Sequence, residues 1–391
     1  MQVDIAVPGT FHAFKLGRQL ESRGSLRRIY TTYPKFATDS EGIPDKKVTH
    51  IRHPELIAQV GHRFPVVNDI IPSQWNDPLN RWKGIAFDKA IARKLEPAED
   101  GLFLGFAGVC LESLQRANKI GLTTVVERSS AHIRTQKEIL DKEYQKYDQG
   151  DSPISTNHVE REETEYGVAD YVITSSKFAQ ESFLNRGFTA EKVRCVQLGE
   201  DIEGKKVGTK RENKKEKTTF LFAGKVDLQK GVQYLLEAWS NSDLANSELL
   251  LAGNIPENMK SVKNRYERDD TIRFLGWRDD ISEVYANSDV FVLPSLHDGF
   301  GMVVTEAMAN GLPVLISENT GAKDCVREGV DGQVVPIRDS EALAEAMQYM
   351  YNNPEERKQM GENAREHITS NFTEDDYGER ILSEYQAMIS Q

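Results

Sequence analysis

Residues 297–317 read His-Asp-Gly-Phe-Gly-Met-Val-Val-Thr-Glu-Ala-Met-Ala-Asn-Gly-Leu-Pro-Val-Leu-Ile-Ser. Before them, Asp289-Val-Phe-Val-Leu-Pro-Ser295 is a short apolar run of the kind a buried strand shows. After Pro313, Val-Leu-Ile starts a second strand. Between the two lie a Gly-rich loop, an apolar helix and a Gly-Leu-Pro stop. The order is one βαβ unit, with a ligand-sized loop at the carboxyl end of its first strand.

The chemistry of that loop follows from its residues. Gly299 and Gly301 are expected to take positive φ and to let the backbone approach a ligand. Phe300, Gly301, Met302 and Val303 then offer N–H groups at a helix start, which attracts anions by roughly 0.3–1 kcal/mol. That is too little to hold a diphosphate, so fixed cations are expected nearby. Upstream, Phe220-Leu-Phe-Ala-Gly224-Lys225-Val-Asp-Leu-Gln-Lys230-Gly231 is another strand running into a loop. It brings Lys225 and Lys230, two point charges suited to phosphate. Glu306 falls inside the helix, where an acid can accept hydrogen bonds from a ribose diol.

Bulk properties narrow the classes. A chain of 391 residues with 39% apolar content is long enough for two or three packed domains. No apolar run reaches the ~18 residues of a membrane-spanning helix. Met-Gln-Val-Asp-Ile-Ala-Val-Pro-Gly reads as a first strand and not as a signal peptide. A net charge of −12 argues against nucleic acid and against broad attraction to anionic lipid, though a local peripheral membrane contact stays open. Cys110, Cys195 and Cys325 are odd in number and far apart, which suggests a reducing, cytoplasmic compartment.

Strand and helix signals alternate along the first half. Strands are expected at 3–7, from Arg28, at 102–106, 123–127, 171–174 and 193–197, with a helix over 14–23. Residues 202–217 are polar with seven basic side chains, and read as a solvated loop leading into a hinge. A second alternation runs from Thr218 to about Val335. Helices follow at 340–351, with Ser340 as N-cap, and at 354–369. Tyr377, Ile381, Tyr385 and Ile389 give the last helix an apolar face. The domains expected are 1–201, 218–372 and a terminal helix in 373–391.

With these motifs in place, the chain resembles the retaining glycosyltransferases of the GT-B type, family 4 or group 1. Asp298-Gly-Phe-Gly…Glu306-Ala307 resembles that family's E-x7-E motif, and Gly224-Lys225…Lys230-Gly231 its Gly-Arg…Lys-Gly. Phe274-Leu-Gly276-Trp277 resembles the strand and loop that hold the donor base. Asp324 to Pro336 resembles the segment that follows. Weaker likeness covers Ala169–Ser176 and Val196–Asp201. Two departures stand out: the first acid is Asp, one methylene short, and the usual Arg is Lys225, which lacks the bidentate fork.

The resemblance implies two Rossmann-like domains facing across a cleft, the C-terminal helix packing back on the first. It implies that Glu306 holds the donor ribose, Asp298 meets the transferred sugar, and Lys225 and Lys230 stabilise the departing diphosphate. It also implies a donor-sugar contact from His132, at the end of Val125-Val-Glu127-Arg128-Ser129-Ser130-Ala131-His132. Arg128 and Ser130 beside it are read as acceptor residues. Gly9, in Gly9-Thr10-Phe11-His12, resembles the first-domain turn that faces the diphosphate.

The activity implied is a hexosyltransferase moving sugar from a nucleotide-diphospho-sugar of unassigned base to a glycan, lipid-linked or small-molecule acceptor. It implies retention of configuration, no metal and no other cofactor, and a place in polysaccharide biosynthesis. In the family's usual account, the departing phosphate oxygen takes the acceptor's proton. Two alternatives use the same scaffold: a nucleotide-sugar epimerase, and a degenerate protein that only binds the nucleotide sugar.

Other clusters take plainer readings. His50, His53 and His62 lack a completing ligand and read as surface groups on a loop or short helix. Aromatic residues Phe64, Trp75, Trp82 and Phe87, interleaved with Arg81, Lys83 and Lys89, read as a half-buried helix and not a membrane face.

Overall fold

The computed structural model describes residues 1–9, 12–38, 41–51, 76–201 and 217–390. The first sheet holds β1 Gln2–Val7, β2 Leu26–Thr31, β3 Val48–His50, β4 Gly101–Phe106, β5 Thr123–Glu127, β6 Tyr171–Thr174 and β7 Val193–Cys195. The second holds β8 Thr218–Ala223, β9 Ser247–Ala252, β10 Ile272–Gly276, β11 Val290–Leu293, β12 Val314–Ser317 and β13 Gly332–Val335. Their spatial orders are β3-β2-β1-β4-β5-β6-β7 and β10-β9-β8-β11-β12-β13, with parallel pairing throughout.

The fold is α/β with two Rossmann-like domains, as expected. Strand order reverses between β1 and β4 in one sheet and between β8 and β11 in the other. A crevice for a ligand opens outside the carboxyl ends of strands at such a reversal. Four sequence segments reach those ends: Pro8 and Gly9, the loop after β4, 224–231 and 294–301. Strands β4 and β11 are buried at every position, as strands covered by helices on both faces must be.

The helix Glu374–Ile389 returns to the first domain. It buries Tyr377, Ile381, Tyr385 and Met388, and packs on the helix Ala13–Ser22 and on β4. Thr373 and Asp376 form a capping box at its start. Arg18 donates to both Glu374 oxygens at 3.1 and 3.2 Å. Just before it, the backbone of Glu200 pairs with that of Phe372 and Glu374.

Three local expectations change. The strand β3 has only three residues at a sheet edge and left no periodic signal. His50 ends it, with Nδ1 2.6 Å from the Tyr33 carbonyl, rather than lying in a loop or short helix. The N-cap of Ser340–Asn352 is Asp339, not Ser340. Its carboxylate accepts from Ala342 N at 2.8 Å and also meets the positive end of the helix dipole.

His53, His62, Phe64, Trp75 and the hinge residues 202–216 lie outside the described residues. Phe87 is in the core, while Trp82 is 47% exposed. Among the described residues, no helix is long and apolar enough to cross a membrane.

Gly199 has no room for a side chain, since a Cβ would overlap the Thr373 carbonyl. Gly199→Ala is therefore expected to lower unfolding stability by about 1–3 kcal/mol in urea titrations. Hydrogen exchange over 374–389 should rise with it. Unchanged exchange there would show that this junction does not hold the terminal helix.

Candidate active site

The second domain encloses a cavity of about 600 Å³ at the carboxyl ends of β8, β9 and β10. Gly224, Lys225, Trp277, Tyr285, Val303 and Glu306 line it, with Asn254 and Asp279. Glu306 Oε2 accepts a hydrogen bond from the Tyr285 hydroxyl at 3.2 Å. Burial and the Glu306 charge push the Tyr285 phenol well above its usual range, so it stays a donor. Trp277 is 70% exposed, and its indole N–H donates to Asp279 Oδ1 at 3.0 Å. An apolar face at the rim and acids within suit a flat base carried on a polyol.

Two lysines follow. Lys225 is largely exposed, with Nζ 3.3 Å from Asp227 Oδ2. Lys230 is more enclosed and forms an ion pair with Asp298. Its backbone N–H is held by Asp227 Oδ1 at 3.1 Å. The turn after it needs Gly231, which has φ 69° and lies against the Pro294 carbonyl. Leu296 N donates to Gln229 O, and Gln229 Nε2 to His297 O, so the loops after β8 and β11 are one unit.

The helix Met302–Ala309 starts at Gly301, whose φ of 88° is left-handed as predicted. Met302 and Val303 are its first residues, and their N–H groups lack helical acceptors. Gly299 is different. Its φ is not positive, and it is glycine because a Cβ would overlap the carbonyl of Ser129 in the first domain. The hydroxyls of Ser175 and Ser176 donate to Gly299 O at 3.2 and 2.6 Å.

His297 completes this contact. Its Nε2 lies 3.1 Å from Ser130 Oγ and accepts from Ala131 N at 3.3 Å. Burial, aided by the Arg128 and Lys230 charges, lowers its pKa to about 3 and keeps it a neutral acceptor.

Residues 206–367 match the family described as glycosyl transferases group 1. The match covers about two fifths of the chain and falls on the second domain, which is similar to the glycosyl transferases of group 1. An uncharacterized glycosyltransferase of Haemophilus influenzae is 29% identical over 182 residues, 45% of this chain and 50% of that protein. The chain thus spans about half the length of that curated relative. Sucrose-phosphate synthase from Thermosynechococcus elongatus superposes over 100% of both chains, with a TM-score of 0.73 at 20% identity. Anabaena Alr3699/HepE in complex with UDP and glucose superposes over 99% of this chain and 100% of that one, with a TM-score of 0.69 at 16% identity. Both share the GT-B fold.

Within the second domain, the structure gathers Gly224, Lys225, Trp277, Val303 and Glu306 around one cavity. Gly276 ends β10 beside it with φ 67°. Lys230 and Asp298 pair at the edge that meets the first domain, and Phe300 is buried in the core. Gly9 lies just past β1, its carbonyl 3.4 Å from Thr31 Oγ1.

The first-domain assignments need correction. His132 does not face the cleft. It is 2% exposed, ringed by Tyr166, Phe183 and Phe188, and its Nδ1 caps a helix by accepting from Arg134 N. Burial and Arg186 lower its pKa to about 4. Arg128 turns inward to Glu162 at 3.2 Å and to Gln136 at 2.6 Å. Ser130 is used by His297. Sequence reading gave no role to His12 or Glu127, whose side chains pair across 115 residues. Among the described residues, no cluster of three or more His, Cys, Asp or Glu is placed to hold a metal.

The Ser129–Gly299 approach makes a direct prediction. Gly299→Ala should push the domains apart, seen as a larger radius of gyration by small-angle scattering. Binding confined to the C-terminal cavity should survive. An unchanged radius would show that the contact does not set the domain spacing.

Proposed function

We propose that this chain transfers a sugar from a nucleotide-diphospho-sugar to an acceptor hydroxyl, with retention of configuration and without a metal ion. The observation that carries this reading is the cavity that holds Glu306, Trp277 and Lys225 together, joined through Asp227 to Lys230 and Asp298. Trp277 offers a surface for the base, Glu306 an acceptor for the ribose hydroxyls, and Met302 and Val303 backbone donors for phosphate. Lys225 and Lys230 supply the positive charge that a bound metal supplies elsewhere. That charge counts most as the nucleotide diphosphate leaves, which is electrostatic stabilisation of the leaving group.

Asp298 is placed to meet hydroxyls of the transferred sugar while still paired with Lys230. Closely apposed domains would keep water from the reacting carbon. A role in glycan or polysaccharide assembly in the cytoplasm, with an acceptor drawn from a glycan, a lipid-linked sugar or a small molecule, fits the family. The UDP bound by the Anabaena protein makes UDP-sugars the first donors to test.

A thermal-shift panel of UDP-, GDP- and ADP-sugars checks the site. One nucleotide class should stabilise the protein, by about 2.7 kcal/mol at a hundredfold excess over Kd. Glu306→Ala should lose that shift, and its turnover should fall by about a hundredfold or more. Near-native turnover in Glu306→Ala would defeat the assignment. Product analysis with donor alone separates transfer from epimerisation, and turnover that persists in EDTA tests metal independence.

A further inference from the structure

We propose that Glu143, on the first domain, is a positioning residue for the donor diphosphate, fixing through Gln233 the turn that carries Lys230. The proposal rests on the donor-site reading above and adds to it a dependence on the other domain. Glu143 lies near the end of the helix Ile133–Lys146, and its side chain is fully buried. A buried carboxylate needs hydrogen-bond partners for its oxygens. Here they come from the second domain. Oε1 accepts from Gln233 Nε2 and Oε2 from Arg338 Nε, each at 2.9 Å.

Gln233 passes this contact on. It lies in the first turn of the helix Val232–Asn241 and is buried. Its Nε2 also donates to Leu228 O at 3.1 Å. The Glu143 carboxylate and the Leu228 carbonyl only accept, so the amide must face them with its nitrogen. The two hydrogens of that nitrogen thus have one partner each. Leu228 O also accepts from Gly231 N at 3.1 Å, which closes the turn 228–231. Lys230 is the third residue of that turn and pairs with Asp298 from there. A relay of hydrogen bonds therefore runs from a carboxylate of the first domain to the backbone that carries a lysine of the donor site.

Arg338 holds this contact against a cost. Its φ is 62°, a left-handed conformation that a residue with a Cβ seldom adopts. Such a backbone persists where its surroundings over-determine it. The guanidinium spans the domain boundary, with Nε on Glu143 and Nη2 donating to Ile139 O of the same helix at 3.0 Å. Just past that helix, Gln149 and Asn258 exchange two hydrogen bonds, at 2.9 and 2.7 Å. Burial, then the Asp227 charge, raise the Tyr144 phenol above its ordinary range, which sets this helix end beside the 224–231 loop.

The consequence is selective. Trp277 follows β10 and Glu306 stands on the helix Met302–Ala309, so neither is carried by the 228–231 turn. Glu143 bears on the phosphate end of the donor and not on its base or ribose.

Calorimetric titration of the full chain tests this, with UDP, GDP and ADP each beside its monophosphate. The ratio of the two dissociation constants reads the grip on the second phosphate. For the nucleotide that wild type binds, Glu143→Ala should reduce that ratio by about tenfold and leave monophosphate affinity unchanged. Glu143→Gln keeps an oxygen for Gln233 and should keep most of the ratio. Gln233→Ala cuts the relay from its other side and should match Glu143→Ala. The double variant should lose no more than either alone, because the two act in series. Should Glu143→Ala fail to fold, Gln233→Ala and Glu143→Gln carry the test, the first reducing the ratio and the second keeping it.

An unchanged ratio in folded Glu143→Ala or Gln233→Ala overturns the proposal. So do equal losses for monophosphate and diphosphate, which mark a general loosening, or additive losses in the double variant. A wild type that binds none of the three nucleotides, or binds diphosphate no more tightly than monophosphate, instead fails the donor-site reading, and this proposal falls with it.

Discussion

The site depends on one contact in which backbone meets backbone. The carbonyl of Ser129, from the first sheet, lies where a side chain on Gly299 would be. Nothing larger than hydrogen fits between them, so the carboxyl ends of the two sheets are set face to face. Polar groups then close the seam: two serine hydroxyls on Gly299 O, the Lys177 N–H on Asp324 at 2.6 Å, and His297 on the Ser130–Ala131 loop. Farther out, buried Glu143 accepts from Gln233 and Arg338, each at 2.9 Å. Each bond is modest, about 1 kcal/mol net and more where a charge takes part. Their effect is geometric, because they all require the same spacing between domains.

That spacing decides what the charges can do. The chain carries −12 overall, so an anionic donor is not drawn in by its general field. Attraction has to be local, and Lys225 and Lys230 lie near the crevice with an acid beside each. Asp227 serves both lysines, one through its side chain and one through its backbone N–H. On the proposed reading, an incoming diphosphate would compete with Asp227 and Asp298 for these two cations. Exposed Lys225 gives up little in that exchange, since an exposed ion pair is worth about 0–1 kcal/mol. Enclosed Lys230 gives up more and is held more firmly in place.

Much of this was legible locally. The run from Asp289 to Ser317 gave β11, the Gly301 turn, the helix and β12, because each signal lies within a few residues of its effect. Apolar runs such as Leu102–Phe106 betray strands buried on both faces. What stayed hidden depends on distant partners. A histidine at a strand end can turn either way, and the rings that enclose His132 come from Tyr166, Phe183 and Phe188, much later in the chain. His12 and Glu127 carry no mutual signal in sequence at all. Gly299 was read as a positive-φ residue that lets the backbone approach a ligand, yet the reason for its glycine is a carbonyl in another domain. The three-residue β3 and the choice between Asp339 and Ser340 fell below what local pattern resolves.

The two departures from the family pattern can now be weighed physically. Asp298 is shorter than Glu, but Lys230 reaches it, so the acid keeps a partner. Lys225 lacks the fork of an arginine, yet it lines the same cavity as Glu306 with its charge intact. Glu306 keeps a phenol donor at 3.2 Å. Here the enclosed acid and the enclosed lysine neutralise each other across the loops after β8 and β11. The substitutions shorten reach without removing charge.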